Sequence, residues 1–358
     1  MKPMPLTYDR VNPVQRGNIY LGEKDHVEGF FMYFRPEQIL EQYELEIRSV
    51  SKGRDCYLCE TNLGGKALKE YRGSRERAEF LAGMLEFLSR QKLLVETVIR
   101  TKEGEPLASE EEEQQKYILV DAFRGAECDT KSREDIICAA GLLADLHNAS
   151  KAYQGEVPEF VKNKADVLYL LYEKHNRELK QVRRYIRSGK KRNEFEELFL
   201  RSYDSFFEKA AKVTELLKGR MPSEELTGFC HGDYNQHNVI FSREGTAIVN
   251  FGNYSYGVMA GDLANFIRKM MEKNNWNPGL AMDIIRAYDV KRKLKEEEFL
   301  YLFFYLAYPE KFWKIANHYS QSHKPWLSMR DFEKLERVIA QEHEREQFLN
   351  LLYHMVAV

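Results

Sequence analysis

The sequence predicts an α+β fold in two lobes, a small antiparallel-sheet lobe followed by a larger helical one. Three observations carry this. Segments between residues 43 and 120 alternate apolar and polar side chains, the period of half-buried strands. After Gly125, apolar residues recur at helical spacing instead. The chain has 358 residues, more than one compact core usually holds. The expected division is an N-terminal extension over 1–36, a sheet lobe over 37–122 and a helical lobe over 123–358. The extension has scattered Gly and Pro and no clear period.

Within the sheet lobe, Tyr43, Leu45 and Ile47 alternate with Glu44, Glu46 and Arg48, which predicts a first strand. Ser51-Lys-Gly-Arg-Asp55 reads as a turn, Cys56–Thr61 as a second strand, Asn62-Leu-Gly-Gly65 as a second turn and Lys66–Tyr71 as a third strand. Ser74 is placed to cap a helix running to about Gln91, with Ala78, Leu81, Leu85 and Leu88 on one face. Two more strands bracket the acidic run Glu110–Glu113, read as a solvated hairpin loop. The last of them, Tyr117-Ile-Leu-Val120, enters Asp121-Ala-Phe-Arg-Gly125, where the lobe boundary is placed. Beyond it, Ile136, Ala140, Leu143 and His147 share a helix face, so His147 reads as a core histidine rather than a ligand. Charged amphipathic segments fill 160–218.

Composition narrows the function classes. Hydrophobic residues at 43% and charged residues at 31% are ordinary for a globular protein. A net charge of -2 argues against a general nucleic-acid binder and a polybasic membrane protein. The locally basic stretch Lys180–Arg192 accordingly reads as a solvated helix end. The most apolar run, Phe299–Tyr308, is too short to cross a bilayer, which takes ~20 residues, and reads as a buried helix; no membrane span is expected. An odd set of five cysteines suggests reduced thiols and cytoplasmic synthesis, and residues 1–9 lack an apolar signal-peptide core.

The chemistry concentrates in Phe229-Cys-His-Gly-Asp-Tyr-Asn-Gln-His-Asn-Val-Ile-Phe241. His231-Gly-Asp233 is followed five positions later by Asn238 and then an apolar strand, the logic of a phosphotransfer loop. Asp233 would accept the proton of an attacking hydroxyl, Asn238 would hold a magnesium ion on the phosphates, and His231 would brace the loop. After a short hairpin comes Ala247-Ile-Val-Asn-Phe-Gly252. A kinase-like site has a magnesium-chelating aspartate at the position held here by Asn250, whose amide lacks the charge this hard cation favours. Asp262 reads either as a plain helix cap or as a carboxylate bonded to the loop backbone. On the third strand, Ala67 and Lys69 share a face, leaving room for an adenine and reach to phosphate oxygens. Glu79 on the following helix is the expected acidic partner of Lys69, with Glu86 the alternative. No GxGxxG is present, and the turn at 51–55 holds only Gly53.

In this order — strand lysine, Leu-Ala-Asp-Leu-His147, the His-Gly-Asp loop, an apolar strand ending at Phe251-Gly252, and Asp262-Leu-Ala264 — the chain resembles the aminoglycoside phosphotransferase and choline kinase superfamily. It looks more like the CotS-like spore coat proteins of endospore-forming bacteria. Leu58-Cys-Glu-Thr61, Lys69-Glu-Tyr-Arg-Gly-Ser74, Gly261–Met270 and Tyr308-Pro-Glu-Lys-Phe-Trp-Lys314 carry that likeness. The resemblance implies a protein-kinase-like fold with a nucleotide cleft at a hinge near Asp121 to Phe123, ATP and Mg2+ as cofactors, and deposition on the spore coat. Two readings follow. One is a coat-associated scaffold, with other coat proteins as partners and weak or absent phosphotransfer. The other is an active enzyme passing the ATP γ-phosphate to a small hydroxyl-bearing acceptor. The departure at Asn250 and the missing Gly-rich loop favour the first.

Cys56 and Cys59 form a lone CxxC on a predicted strand, where residues three apart point to opposite faces, and no second CxxC completes a zinc site. They should bind no metal and form no mutual disulfide. Stoichiometric zinc lost on Cys59→Ser would refute this.

Overall fold

The computed structural model describes residues 36–109, 115–164, 167–321 and 329–356. The expected extension, up to Arg35, and the acidic run Glu110–Glu113 lie outside the described residues. A short helix α1 (Pro36–Leu40) precedes an antiparallel sheet built from β1 (Ile47–Lys52), β2 (Tyr57–Thr61), β3 (Gly64–Tyr71), β4 (Val98–Ile99), β5 (Ala108–Ser109) and β6 (Lys116–Asp121). The strand order is β1-β2-β3-β6-β4, and β5 also pairs with β6. Helix α2 (Arg75–Arg90) follows β3.

The first strand differs from expectation. It starts at Ile47, and Tyr43 instead lies in the buried turn after α1. The strand also runs through Ser51 and Lys52, which pair with Leu58 and Tyr57. The turn therefore tightens: Gly53 N donates to Cys56 O at 2.9 Å, and Asp55 takes a positive φ of 55°. Alternation alone cannot register a strand; pairing with β2 decides. Cys59 is buried and Cys56 half-buried, both as free thiols, and burial pushes Cys59 up to about 11.

Helix α2 forms where expected. Ser74 Oγ accepts from Arg77 N at 3.3 Å, and Ala78, Leu81, Leu85 and Leu88 are all at most 3% exposed. After β7 (Gly125–Glu127) the chain becomes mainly helical. Helix α3 (Arg133–Lys151) buries Ile136, Ala140, Leu143 and His147. Helices α4 (Val167–Ser188) and α5 (Glu194–Leu217) pack together, α5 opened by a capping box between Asn193 and Glu196.

Two small β units then frame the loop of interest. Strand β8 (Thr227–Cys230) pairs with β11 (Ser255–Val258), while β9 (Val239–Ser242) pairs with both β7 and β10 (Thr246–Ile248). The chain closes with α6 (Ala260–Lys273), α7 (Pro278–Lys291), α8 (Glu296–Ala307), α9 (Glu310–Gln321), α10 (Met329–Ala340) and α11 (Glu342–Val356). The apolar run at 299–308 is the buried α8 and its end, and among the described residues no helix is long and apolar enough to cross a membrane.

One apolar cluster joins Ala67, Tyr71 and Val120 of the sheet to Phe229, Ile248 and Phe251 beside the loop. The core thus continues across residues 122 and 123. Backbone bonds reinforce it: Ile248 N donates to Leu94 O at 2.9 Å and Glu96 N to Ile248 O at 3.3 Å. Sheet and helical part therefore meet along the segment that leads from α2 to β4. Ser74→Ala should cost about 1 kcal/mol, the usual worth of a helix cap, in urea unfolding, and Ser74→Asp should restore most of it.

Candidate functional site

Strand β8 carries the chain into the His-Gly-Asp loop. Gly232 has φ +80°, and a Cβ there would lie 1.9 Å from Asn253 O, so no larger residue fits. His231 is fully buried. Its backbone N donates to Asp262 Oδ2 at 2.6 Å, and Gly232 N donates to Asp262 Oδ1 at 2.9 Å. On the ring, Nδ1 accepts from Asp233 N at 3.2 Å, so Nε2 carries the proton and donates to Val249 O at 2.9 Å. Both ring nitrogens are spent on backbone, so His231 is a positioning residue, not a reacting group. Tyr234 pins the loop to α3 by donating to Ala139 O at 2.7 Å.

Asp262 is the third residue of α6 and not its N-cap, which is Met259. That corrects the plain-cap reading: the carboxylate faces the loop. Burial opposes its charge, yet the hydrogen bond from His147 and the loop amide of Gly232 hold its carboxyl below the ordinary 3.8. His147 lies against it at 3.4 Å through Nε2, with Nδ1 2.6 Å from the Tyr288 hydroxyl, and burial pushes His147 down so that it stays neutral. His147, Cys230 and Asp262 bring donor atoms within 4.8 Å of one another. The hydrogen bonds just described, and those of Cys230 to Gly228 O and Gly257 O, already use these groups.

A chain of hydrogen bonds crosses from the sheet to the loop. Lys69 Nζ meets Glu96 Oε2 at 2.7 Å, and Glu96 Oε1 accepts from Asn250 N at 2.9 Å and Phe251 N at 3.1 Å. Asn250 Nδ2 donates to Asn238 Oδ1 at 2.7 Å, and Asn238 Nδ2 donates to Asp233 O at 2.8 Å. Asn238 must direct its amide nitrogen to the Asp233 carbonyl, so its oxygen faces Asn250, which can only answer with its own nitrogen. Asn250 sits at φ 68°, ψ 52°, the left-handed region that Asn tolerates. Among the described residues the half-buried Asp233 carboxylate has one neighbour at hydrogen-bond range, Asn265 Nδ2 at 3.5 Å.

The acidic partner of Lys69 is therefore Glu96, not Glu79. Arg100 claims Glu79, donating to it at 3.0 Å, and Glu86 pairs with Arg90 one turn away. Glu96 was missed, although a charge following Leu93-Leu-Val95 is a sequence sign of a buried ionic group, and Glu96 is 3% exposed. Asp121 ends β6, but its side chain is engaged: Lys66 Nζ lies 2.7 Å away, and Thr97 N donates to it at 3.1 Å. A ligand at this turn would meet its backbone rather than its carboxylate. Phe123 is half-buried between β6 and β7.

The donors at the expected metal position do not fit magnesium. Asn238 and Asn250 offer neutral amide oxygens, that of Asn238 already accepts from Asn250, and the Glu96 carboxylate is turned away to Lys69 and the backbone. Mg2+ is usually held through carboxylates in near-ideal octahedral geometry.

Because the folded Asp262 carboxyl is held below its ordinary value, the stability it contributes is present above pH 3.8 and is lost as pH falls through its folded value. Asp262→Asn should cost about 2–3 kcal/mol at pH 7, the scale of hydrogen bonds to a buried charge. Urea titrations across pH should show that deficit shrinking under strong acid.

The profile of the family described as "Spore coat putative kinase YutH" matches residues 36–352. Spore coat protein S of Bacillus subtilis is 24% identical over 346 residues, covering 92% of this chain and 95% of that protein. An aminoglycoside phosphotransferase from Alicyclobacillus acidocaldarius superposes with a TM-score of 0.76 at 19% identity, covering 90% of this chain and 97% of its own. A spectinomycin phosphotransferase solved with ADP and spectinomycin gives 0.60 at 14% identity, covering 86% and 97%. An amicoumacin kinase solved with AMP-PNP and Ca2+ gives 0.61 at 12% identity, covering 88% and 94%. The fold is thus that of the aminoglycoside phosphotransferases, and the chain belongs to the spore coat putative kinase YutH family.

Proposed function

We propose that this protein is a spore coat component that keeps a kinase-type nucleotide cleft and has weak or absent phosphotransferase activity. The observation that carries this is the hydrogen bond between Asn250 and Asn238, which joins two neutral amides where a charged metal seat is needed. Phosphoryl transfer depends on positioning and on neutralising charge at the transferred group. Lys69, paired with Glu96 and lying on the same strand face as buried Ala67 and Tyr71, suits nucleotide phosphates. Adenine would sit against Ala67 and the backbone from Asp121 to Phe123. Relatives solved with ADP or with AMP-PNP and Ca2+ support a nucleotide in the cleft. Similarity to spore coat protein S supports deposition on the coat beside other coat proteins.

A second reading, an active small-molecule kinase, is favoured by Asp233. Its half-buried carboxylate stands ready to accept a proton from a hydroxyl-bearing acceptor. Asn250→Asp separates the two readings. The unmodified protein should bind ATP with little dependence on magnesium and turn it over slowly. Asn250→Asp should make binding magnesium-dependent and raise turnover by about 10²–10³, the cost of one lost electrostatic group in a site. Calorimetric titration with ATP in EDTA and in magnesium, with turnover measured alongside, reads both. Brisk magnesium-dependent transfer by the unmodified protein would establish the enzyme reading instead.

A further inference from the structure

We propose that the helical floor beside Asp233 is an oxyanion site centred on Lys269, so that the ligand held there presents a phosphate or carboxylate group. This rests on the cleft reading above and goes beyond it in assigning a ligand chemistry to α6. Asn265 Nδ2 donates to Tyr234 O at 3.1 Å and lies 3.5 Å from Asp233 Oδ1. Lys269 follows four residues later, on the same face of the helix.

What distinguishes Lys269 is that its neighbours are paired and it is not. Arg268 holds Glu272 at 2.9 Å, Lys311 holds the same Glu272 at 3.2 Å, and Lys314 holds Glu310 at 3.1 Å. Those acids are therefore spent. Lys269 is half-buried, and among the described residues no hydrogen-bond or ion-pair partner meets its ammonium. Asp233 acts on it only through space. Burial, then the like charges of Arg268 and Lys314, push the ammonium below its usual value, with Glu272 and Asp233 opposing. A cation left half-desolvated without a counter-charge is costly, and an anionic ligand removes that cost.

The sign of this charge also bears on selectivity. A polycationic acceptor approaching Asp233 would meet Lys269 as a like charge. Two sources could supply the oxyanion: the terminal phosphate of the nucleotide, or an acidic group on a second ligand. With the metal seat neutral, a lysine beside Asp233 supplies positive charge to either.

The test is calorimetric titration in EDTA of the full chain and its Lys269→Gln and Lys269→Arg variants. Probes are ATP, AMP, pyrophosphate, a hexose phosphate and the uncharged hexose, with thermal melts confirming that the variants fold. Lys269→Gln should weaken the oxyanion ligand by about tenfold to a hundredfold, the range for a hydrogen bond to a charged group, and Lys269→Arg should retain most of it. Loss for ATP with AMP unchanged assigns the site to the terminal phosphate. Loss for the hexose phosphate with ATP unchanged assigns it to a second ligand. If the unmodified protein binds no nucleotide but holds pyrophosphate or hexose phosphate through Lys269, the oxyanion site stands and the nucleotide reading falls. If folded Lys269→Gln binds every probe as the unmodified protein does, or no anion binds either form, the proposal is overturned.

Discussion

A carboxylate shut away from water is costly unless charge and hydrogen bonds meet it, and Glu96 is such a group. Its side chain is 4% exposed, and its donors come from two different stretches: Lys69 on β3 and the amides of Asn250 and Phe251 after β10. Those stretches must converge for the buried charge to be tolerated. The parallel bridge between Val95 and Ile248 brings the backbones together at the same point. Once Asn250 is held there in a left-handed conformation, its side chain meets Asn238, and Asn238 in turn fixes the carbonyl of Asp233. The geometry of the candidate site thus descends from one buried acid on the segment joining α2 to β4.

A second buried acid braces the loop from below. Asp262 ties the amides of His231 and Gly232 to the first turn of α6, and the neutral ring of His231 ties Asp233 N to Val249 O. The Asp233 side chain is thereby presented by a backbone with little freedom. The division of labour is clear in exposure: bracing groups are buried, while Asp233 is open to solvent on one side.

Features encoded by short stretches were legible in the sequence. Strands β2 and β3, the Ser74 cap and the spacing from His231 to Asn238 each depend on neighbours within about a dozen positions. The family likeness rested on the same local strings. What depends on distant partners was not legible. Glu96 meets Lys69 from 27 positions away and Asn250 from 154, and the apolar residues before it signal burial without naming those partners. The start of β1 was misplaced because the alternation at 43–48 fits a strand equally well until β2 sets the register. At Asn250 the sequence showed a missing charge. Only the structure shows that its amide is used against Asn238.

The continuous apolar cluster from Ala67 to Phe251 has a consequence for how the molecule comes apart. A sheet that owned a separate core could melt alone and leave the helices standing. Here Val120 and Ile248 belong to the same packed cluster, and opening the sheet would strip Phe229 and Phe251 of neighbours while exposing Glu96. Partial unfolding at the cleft therefore carries much of the cost of global unfolding. Proteases that need a locally opened chain would find few intermediate states to cut.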